Sequence, residues 1–120
     1  MGIIDQTAVA QPLLFIIEYS LAKLAMARGI KPAAMTGHSI GEYTAACLSG
    51  VFSLEDALKL VALRGKLMNS MPAGAMLSVA MSEEDLIPLL PGAISLAAVN
   101  TTAYCVISGT NDDVDHFEQQ

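Results

Sequence analysis

The sequence predicts an α/β protein built in two parts, and three observations support this expectation. Apolar residues recur at helical spacing through most of residues 7–69, around a Gly-x-Ser-x-Gly pattern at residues 37–41. From Ala75 onward, the pattern predicts a strand, a helix, two strands and a helix. Residues 1–72 have a net charge of +1, whereas residues 73–120 hold seven acidic residues and no basic one. We therefore expect one unit over residues 1–73 and a second over residues 74–120.

The composition argues against several classes of protein. A chain of 120 residues with 53% hydrophobic and 15% charged residues is too apolar to be intrinsically disordered. Its net charge of -6 argues against non-specific binding to nucleic acid. Charged residues interrupt the most apolar stretch, so no membrane-spanning helix is expected. Cys47 and Cys105 lack metal-ligand or disulfide-framework spacing, which favours buried, reduced thiols in a cytoplasmic protein.

The first predicted element is a helix from Thr7 to Gly29. Thr7 can cap its N-terminus, and Gly29 followed by Pro32 is a typical stop signal. Pro12 fits only the first turn, because proline has no amide proton for the helical hydrogen bonds. The helix is therefore expected to begin near Pro12.

Three further elements are predicted in the first unit. A short apolar strand precedes the Gly-x-Ser-x-Gly pattern, and a helix that ends at Gly50 follows it. A longer helix then opens with a capping box formed by Ser53 and Asp56. The expected ranges are 33–36 for the strand, 43–48 for the second helix, and 53 to about 69 for the third.

The second unit is predicted from alternating apolar residues and from capped, acidic helix starts. Strands are expected over residues 76–81, 94–99 and 104–108, and helices are expected to open at Ser82 and Asn111. This order is most of a ferredoxin-like split motif, without its last strand.

The Gly-x-Ser-x-Gly pattern indicates a nucleophile elbow with Ser39 at its tip. In such a turn the serine backbone is strained and its neighbours approach closely, which explains the glycines at positions 37 and 41. The backbone N–H of Ile40 begins the following helix, where it can hold the oxyanion of an acyl group attached to Ser39. The alternative is a glycine-rich turn in which Ser39 has no catalytic role.

A serine hydroxyl needs a base, and the sequence offers no convincing one. His38 is adjacent to Ser39, which makes an in-line hydrogen bond between the two side chains difficult, so a structural or pocket-lining role is expected. His116 lies on the polar final helix, where a solvated surface residue is the ordinary expectation.

Arg64 is predicted on the third helix among apolar residues. Such an arginine can extend to solvent or pair with a carboxylate of the protein. Its guanidinium can equally bind a substrate carboxylate through two hydrogen bonds. The residues alone leave both roles open.

Several motifs together resemble one known family. The chain is similar to the acyltransferase domain of modular polyketide synthases, which is related to the malonyl-CoA:acyl-carrier-protein transacylase of fatty-acid synthesis. The resemblance extends from about Gln6 to the end of the chain. It rests on the segments TAVAQPLLF at 7–15, IEY at 17–19, GHSIGEY at 37–43, GVFSLEDA at 50–57 and ALRGKLM at 62–68.

The resemblance implies a fold and a set of roles. The family has an α/β-hydrolase-like large subdomain, part of which would be residues 1–73, with an inserted ferredoxin-like small subdomain, of which residues 74–120 would be a truncated copy. Ser39 would be the acylated nucleophile, Ile40 the backbone oxyanion donor and Arg64 the clamp on a substrate carboxylate. The expected pocket-lining residues are Gln11, His38 and Asn100.

The resemblance also implies a reaction. A malonyl-type extender would pass from CoA to Ser39, and then to the phosphopantetheine thiol of an acyl carrier protein, with no metal or redox cofactor. In this family, isoleucine directly after the serine, as at Ile40, favours malonyl as the extender. The expected partners are malonyl-CoA, the carrier protein and neighbouring synthase domains.

Two features of the family are missing from the sequence. They are a Gly-Gln-Gly loop, whose glutamine contributes to the oxyanion hole, and a catalytic histidine in a second Gly-His-Ser-like segment. The resemblance therefore implies a fragment with little or no turnover of its own. Open sheet edges left by missing strands make self-association a further hypothesis.

Two other functions fit the residues. A serine esterase or lipase shares the elbow but needs no arginine clamp. A non-catalytic interaction fragment would use its acidic second half to bind a partner.

Overall fold

The computed structural model describes residues 2–119 and divides the chain between Met71 and Pro72 into two compact units. Met1 and Gln120, the outermost residues of the two predicted domains, lie outside the described residues. The assignment of these units to named subdomains stays a prediction.

In the described residues of the first unit, all of the regular secondary structure is helical. A short 3-10 helix at Ile3–Asp5 precedes α1 (Thr7–Ala27), α2 (Ile40–Leu48) and α3 (Leu54–Asn69). Helix α1 contacts both other helices, and the core forms where the three meet. The buried core residues are Phe15, Ile40, Cys47, Ala57 and Val61.

Glycines end α1 and α2, as predicted. Gly29 and Gly50 have φ angles of +93° and +83°, which place them in the left-handed region that favours glycine. The amides that follow them donate back into the last helical turn, from Ile30 to the Ala25 carbonyl at 3.2 Å and from Val51 to the Ala46 carbonyl at 3.0 Å. These contacts satisfy carbonyls that the helix ends would otherwise leave unpaired.

The start of α1 differs from the prediction. The helix begins at Thr7 and contains Pro12 in its interior, so the expectation that it begins near Pro12 is wrong. The Gln6 carbonyl already accepts two helical amides at 2.8 Å, and helical bonding is therefore established before the proline. Gln6 occupies the cap position instead of Thr7, whose hydroxyl accepts a hydrogen bond from the Gln11 side chain at 2.7 Å.

The predicted strand at residues 33–36 is also wrong. A strand is defined by hydrogen bonds to a neighbouring strand, and the described residues of the first unit contain no other strand to supply them. Helix α2 begins at Ile40, earlier than the predicted residue 43, because the Gly41 amide already donates to the His38 carbonyl at 3.0 Å.

The capping prediction for α3 is confirmed. The Ser53 hydroxyl accepts the amide of Asp56 at 3.1 Å and donates to the Asp56 carboxylate at 2.7 Å. The same reciprocal arrangement caps two helices of the second unit, through Ser82 with Asp85 and Thr110 with Asp113.

Helices α1 and α3 approach closely at Gly65, which is buried. A Cβ atom at this position would lie 3.1 Å from both the Ala8 Cα and the Thr7 carbonyl oxygen. The absence of a side chain at Gly65 therefore permits the short distance between the two helix backbones.

By length and composition alone, α1 could cross a membrane, because its 21 residues contain only Glu18 and Lys23 as charged side chains. The expectation that no such helix fits is wrong on this test, since Arg28 lies beyond the helix end. Core helices of soluble proteins pass the same test. In this unit, Phe15 is fully buried and Glu18 accepts a hydrogen bond from Thr44 of α2 at 2.7 Å, so one face of α1 packs against the other helices.

The second unit confirms the predicted order of elements. It contains β1 (Gly74–Val79), α4 (Glu83–Leu86), a 3-10 turn at Ile87–Leu89, β2 (Ser95–Thr101), β3 (Tyr104–Thr110) and α5 (Asn111–Glu118). The strands form an antiparallel sheet in the order β1-β3-β2. The buried core residues are Leu86, Ile94, Cys105 and Ile107.

Candidate active site

Ser39 occupies a strained turn at the N-terminus of α2. Its φ and ψ angles are 53° and −114°, and among residues 2–119 it is the only non-glycine residue with a positive φ. Such a conformation costs about 1–3 kcal/mol and persists only where the surroundings enforce it. The side chain is exposed and makes no capping hydrogen bond, so the turn presents the hydroxyl to solvent.

The two glycines of the motif have different roles. A Cβ atom on Gly37 would lie 2.1 Å from the Gly41 carbonyl carbon and 2.4 Å from the Glu42 nitrogen, so only glycine fits there. A Cβ atom on Gly41 would meet only a Glu18 carboxylate oxygen, at 3.9 Å. The expectation that close approach requires both glycines therefore holds at position 37 and is wrong at position 41.

Glu42 holds the loop that leads into the turn. Its carboxylate accepts the Gly37 amide at 2.7 Å and the Thr36 hydroxyl at 3.5 Å. An anionic side chain is also favourable in the first turn of α2, near the positive end of the helix dipole. Sequence reasoning gave Glu42 no role, although its place directly after the motif, at a helix start, is a usable signal.

The backbone N–H of Ile40 is available as an anion donor. The amides of Gly41 and Glu42 donate to the carbonyls of His38 and Ser39, at 3.0 and 3.2 Å. The Ile40 amide has no acceptor within the described part of the chain. This donor lies one residue from the Ser39 hydroxyl, at a helix N-terminus that favours negative charge.

Neither histidine is hydrogen-bonded to Ser39. The exposed His38 lines a cleft of about 490 Å³ formed by α1, α2 and the loop between them, and Ser39 is not in that lining. His116 is exposed on α5 of the second unit. Among the described residues, no base is placed to take the serine proton.

Arg64 and Gln11 meet in the first unit. The Arg64 Nη1 donates a hydrogen bond to the Gln11 Oε1, joining α3 to α1. Gln11 is buried, and its Nε2 donates to the Thr7 hydroxyl at 2.7 Å and to the Met68 sulfur at 3.2 Å. These two acceptors fix the orientation of the amide, so its oxygen faces the guanidinium.

The Arg64 guanidinium also lies over an aromatic ring. Its Cζ is 5.6 Å from the ring centroid of Tyr43, within the range of a cation–π interaction. Arg64 is half-buried, and none of the side chains that the structure describes gives it an ionic partner. A guanidinium has five N–H donors, so this one keeps donors free for an anion.

Asn100 belongs to the second unit. It lies exposed on β2, and its predicted pocket-lining role stays a prediction. The structure therefore joins Gln11 with Arg64, places Ser39 beside Ile40, and adds Tyr43 and Glu42 to the residues that sequence reasoning selected.

A known family matches the whole chain. Residues 1–120 match the family model described as the acyl transferase domain. A phenolphthiocerol/phthiocerol polyketide synthase of Mycobacterium tuberculosis is 44% identical over 111 residues, which cover 92% of this chain and 8% of that protein.

Two solved structures are similar as well. The acyl transferase domain of ZmaA is 52% identical, with a TM-score of 0.89, and the match covers 97% of this chain and 28% of that one. The malonyl-CoA:ACP transacylase of Synechocystis sp. PCC 6803 is 34% identical, with a TM-score of 0.89 and coverage of 97% and 41%. The chain thus spans less than half the length of each of these relatives.

Proposed function

This chain belongs to the acyl transferase domain family, and we propose that it carries the nucleophile and the substrate clamp of a polyketide synthase acyltransferase. The reaction moves a malonyl-type group from CoA to the phosphopantetheine thiol of an acyl carrier protein. The observation that carries this proposal is the strained, exposed Ser39 next to the unbonded amide of Ile40.

The first half-reaction acylates Ser39. Its Oγ attacks the thioester carbonyl carbon, and the carbonyl oxygen becomes an oxyanion that the Ile40 N–H stabilises. When the oxyanion collapses, the carbon–sulfur bond breaks, and CoA leaves as a thiol with the proton that the serine gave up. The product is a malonyl ester on Ser39.

The second half-reaction releases the malonyl group. The phosphopantetheine sulfur attacks the ester carbonyl carbon at the same oxyanion site. The bond between the carbon and the Ser39 oxygen then breaks, the thiol proton returns to the serine, and malonate leaves as a thioester of the carrier protein.

Arg64 recognises the free carboxylate of the malonyl group. Its guanidinium is partly withdrawn from water and has no acidic partner among the described side chains, so a substrate anion satisfies donors that the protein leaves open. An esterase or lipase does not need such a cation. Arg64 therefore favours the transferase over that alternative.

We also propose that the catalytic base is not among these residues. The family resemblance implies a histidine in a second Gly-His-Ser-like segment, and these 120 residues contain one such segment, at 37–39. The oxyanion-hole glutamine of the family's Gly-Gln-Gly loop is likewise not in the sequence. The 120-residue chain alone is accordingly expected to show little or no transfer.

The subdomain assignment, the cellular location and the cofactor requirement are parts of the same proposal. Residues 1–73 form part of an α/β-hydrolase-like core, and residues 74–120 form part of a ferredoxin-like small subdomain, which the antiparallel order β1-β3-β2 supports. The domain works in the cytoplasm, beside other synthase domains, and it requires CoA thioesters but no metal or redox cofactor.

The isolated chain is proposed to self-associate. Strands β1 and β2 each have one neighbour in the described sheet, so their outer edges carry unpaired backbone groups. Light scattering should give a mass above the 12.6 kDa of one chain, increasing with concentration. A monomeric mass across the concentration range would contradict this expectation.

The sharpest test of the function uses a complete domain. We define the grafted domain as the acyl transferase domain of ZmaA with this sequence in place of its matching segment. In the grafted domain, Arg64→Ala should lower kcat/KM for malonyl-CoA by about 10- to 150-fold, the effect of losing hydrogen bonds to a charged group. Transfer from acetyl-CoA should not fall, because the acetyl group has no carboxylate.

The control is Lys66→Ala, which removes an exposed cation from the same helix and should leave the malonyl to acetyl ratio unchanged. Unchanged malonyl transfer in Arg64→Ala would refute the clamp and favour an esterase-like enzyme. An equal loss for both acyl groups would assign Arg64 to structure.

A further inference from the structure

We propose that Tyr43 is a positioning residue for Arg64 and thereby helps to select carboxylated acyl groups. This inference rests on the proposed function. It concerns a residue of the motif segment that neither sequence reasoning nor the proposed reaction gave a role.

The position of Tyr43 links the nucleophile to the clamp. Tyr43 is on α2, one helical turn after Ser39, whereas Arg64 is on α3. Its half-buried ring packs against the core cluster around Phe15, which holds the ring in place. The guanidinium above this ring, at 5.6 Å, is therefore tied to the helix that carries the nucleophile.

The contacts of Arg64 come from different directions. The Cζ of Arg64 lies over the ring of Tyr43, and Gln11 accepts a hydrogen bond from Nη1. A carboxylate binds a guanidinium through two parallel hydrogen bonds, whereas the contact with the ring uses none of the N–H donors, so the ring does not compete with the carboxylate for them. The ring and the amide together restrict rotation of a long side chain while leaving part of its edge free.

This restriction has a specific effect on catalysis. An arginine that is already oriented loses less conformational entropy when it binds an anion, so more of the interaction free energy remains for positioning the substrate. The benefit applies only to acyl groups with a carboxylate. A purely structural tyrosine would affect malonyl and acetyl transfer alike.

The test compares two substitutions in the grafted domain. Tyr43→Leu removes the ring, whereas Tyr43→Phe keeps the ring and removes the hydroxyl. The kcat/KM ratio of malonyl-CoA to acetyl-CoA should fall by about 5- to 30-fold in Tyr43→Leu, the range expected for a partly desolvated cation–π contact. In Tyr43→Phe the ratio should stay within about twofold of the unmodified domain.

A parallel loss of both activities in Tyr43→Leu, or an equal change of the ratio in Tyr43→Phe, would overturn the inference. Arg64→Ala separates this result from the proposed function. If Arg64→Ala lowers the ratio and Tyr43→Leu does not, the clamp stands and the role of Tyr43 is refuted. If Arg64→Ala leaves the ratio unchanged, the proposed clamp itself fails.

A second measurement needs no activity. In the 120-residue chain, NMR signals of the Arg64 δ-methylene protons should be shifted upfield by the ring current of Tyr43. The shift should persist in Tyr43→Phe and disappear in Tyr43→Leu, with thermal unfolding as a control that both variants are folded. Unshifted signals in the unsubstituted chain would overturn the inference.

Discussion

The grafted domain should gain one malonyl group when mixed with malonyl-CoA, and its Ser39→Ala variant should gain none. Ser39 is exposed at a strained turn and lies beside the free Ile40 amide, so its oxygen is placed to form the ester. Alanine removes the attacking hydroxyl and keeps the Cβ of the residue. Intact mass spectrometry before addition of carrier protein measures the adduct directly.

A malonyl adduct that persists in Ser39→Ala would refute the assignment of the nucleophile. Cys47 is a poor substitute acceptor, because it is buried and desolvation raises the pKa of its thiol above the ordinary value, which disfavours the reactive thiolate. The isolated 120-residue chain should also remain unlabelled, since no base is hydrogen-bonded to Ser39 within its described residues. Rapid stoichiometric labelling of that chain would contradict the proposed need for an outside base.

Gly37→Ala should reduce malonyl transfer by the grafted domain at least about 100-fold, the cost of displacing reacting groups by about 1 Å. The new Cβ would lie 2.1 Å from the Gly41 carbonyl carbon, and no side-chain rotation can separate the two, because the Cβ is bonded directly to its Cα and the carbonyl carbon is a backbone atom. The turn must therefore open, which moves Ser39 relative to the Ile40 amide and weakens the Glu42 contact to Gly37.

Gly41→Ala is the matched control within the same motif. Its Cβ would meet only a flexible carboxylate at 3.9 Å, and position 41 is already helical, so transfer should remain within a few-fold of the unmodified domain. Measurement of kcat/KM together with the melting temperature separates misplacement of Ser39 from unfolding. Equal losses in the two variants would contradict the steric account.

Local signals in the sequence predicted much of the fold. The helix ends at Gly29 and Gly50 and the caps at Ser53 and Ser82 were predictable because each depends on residues close together in the chain. The prediction of a strand at residues 33–36 was wrong, because strand formation depends on a partner that the described residues of the first unit lack. The error at Pro12 arose because the carbonyl of Gln6 starts the helix before the proline.

In the candidate site too, features that depend on nearby residues were predictable, and features that depend on distant ones were not. Ser39 and Ile40 were predictable from a five-residue pattern, since the geometry of the turn is local. The residues alone left a carboxylate clamp as one of two open roles for Arg64, and the resemblance selected it. The contacts of Arg64 with Gln11 and Tyr43 depend on which faces of three helices meet. The resemblance selected Gln11 as pocket-lining, whereas neither it nor periodicity gave a reason to select Tyr43.

The close approach of α1 and α3 at Gly65 lies beside the hydrogen bond that joins Arg64 to Gln11. Gly65 neighbours Arg64 in sequence, and across the helix interface it faces the backbone one turn before Gln11. A larger side chain there would move α3, which carries Arg64, away from α1, which carries Gln11, without altering any polar group. Under the proposed function, the width of the interface between α1 and α3 therefore affects the position of the clamp, although Gly65 itself has no functional group.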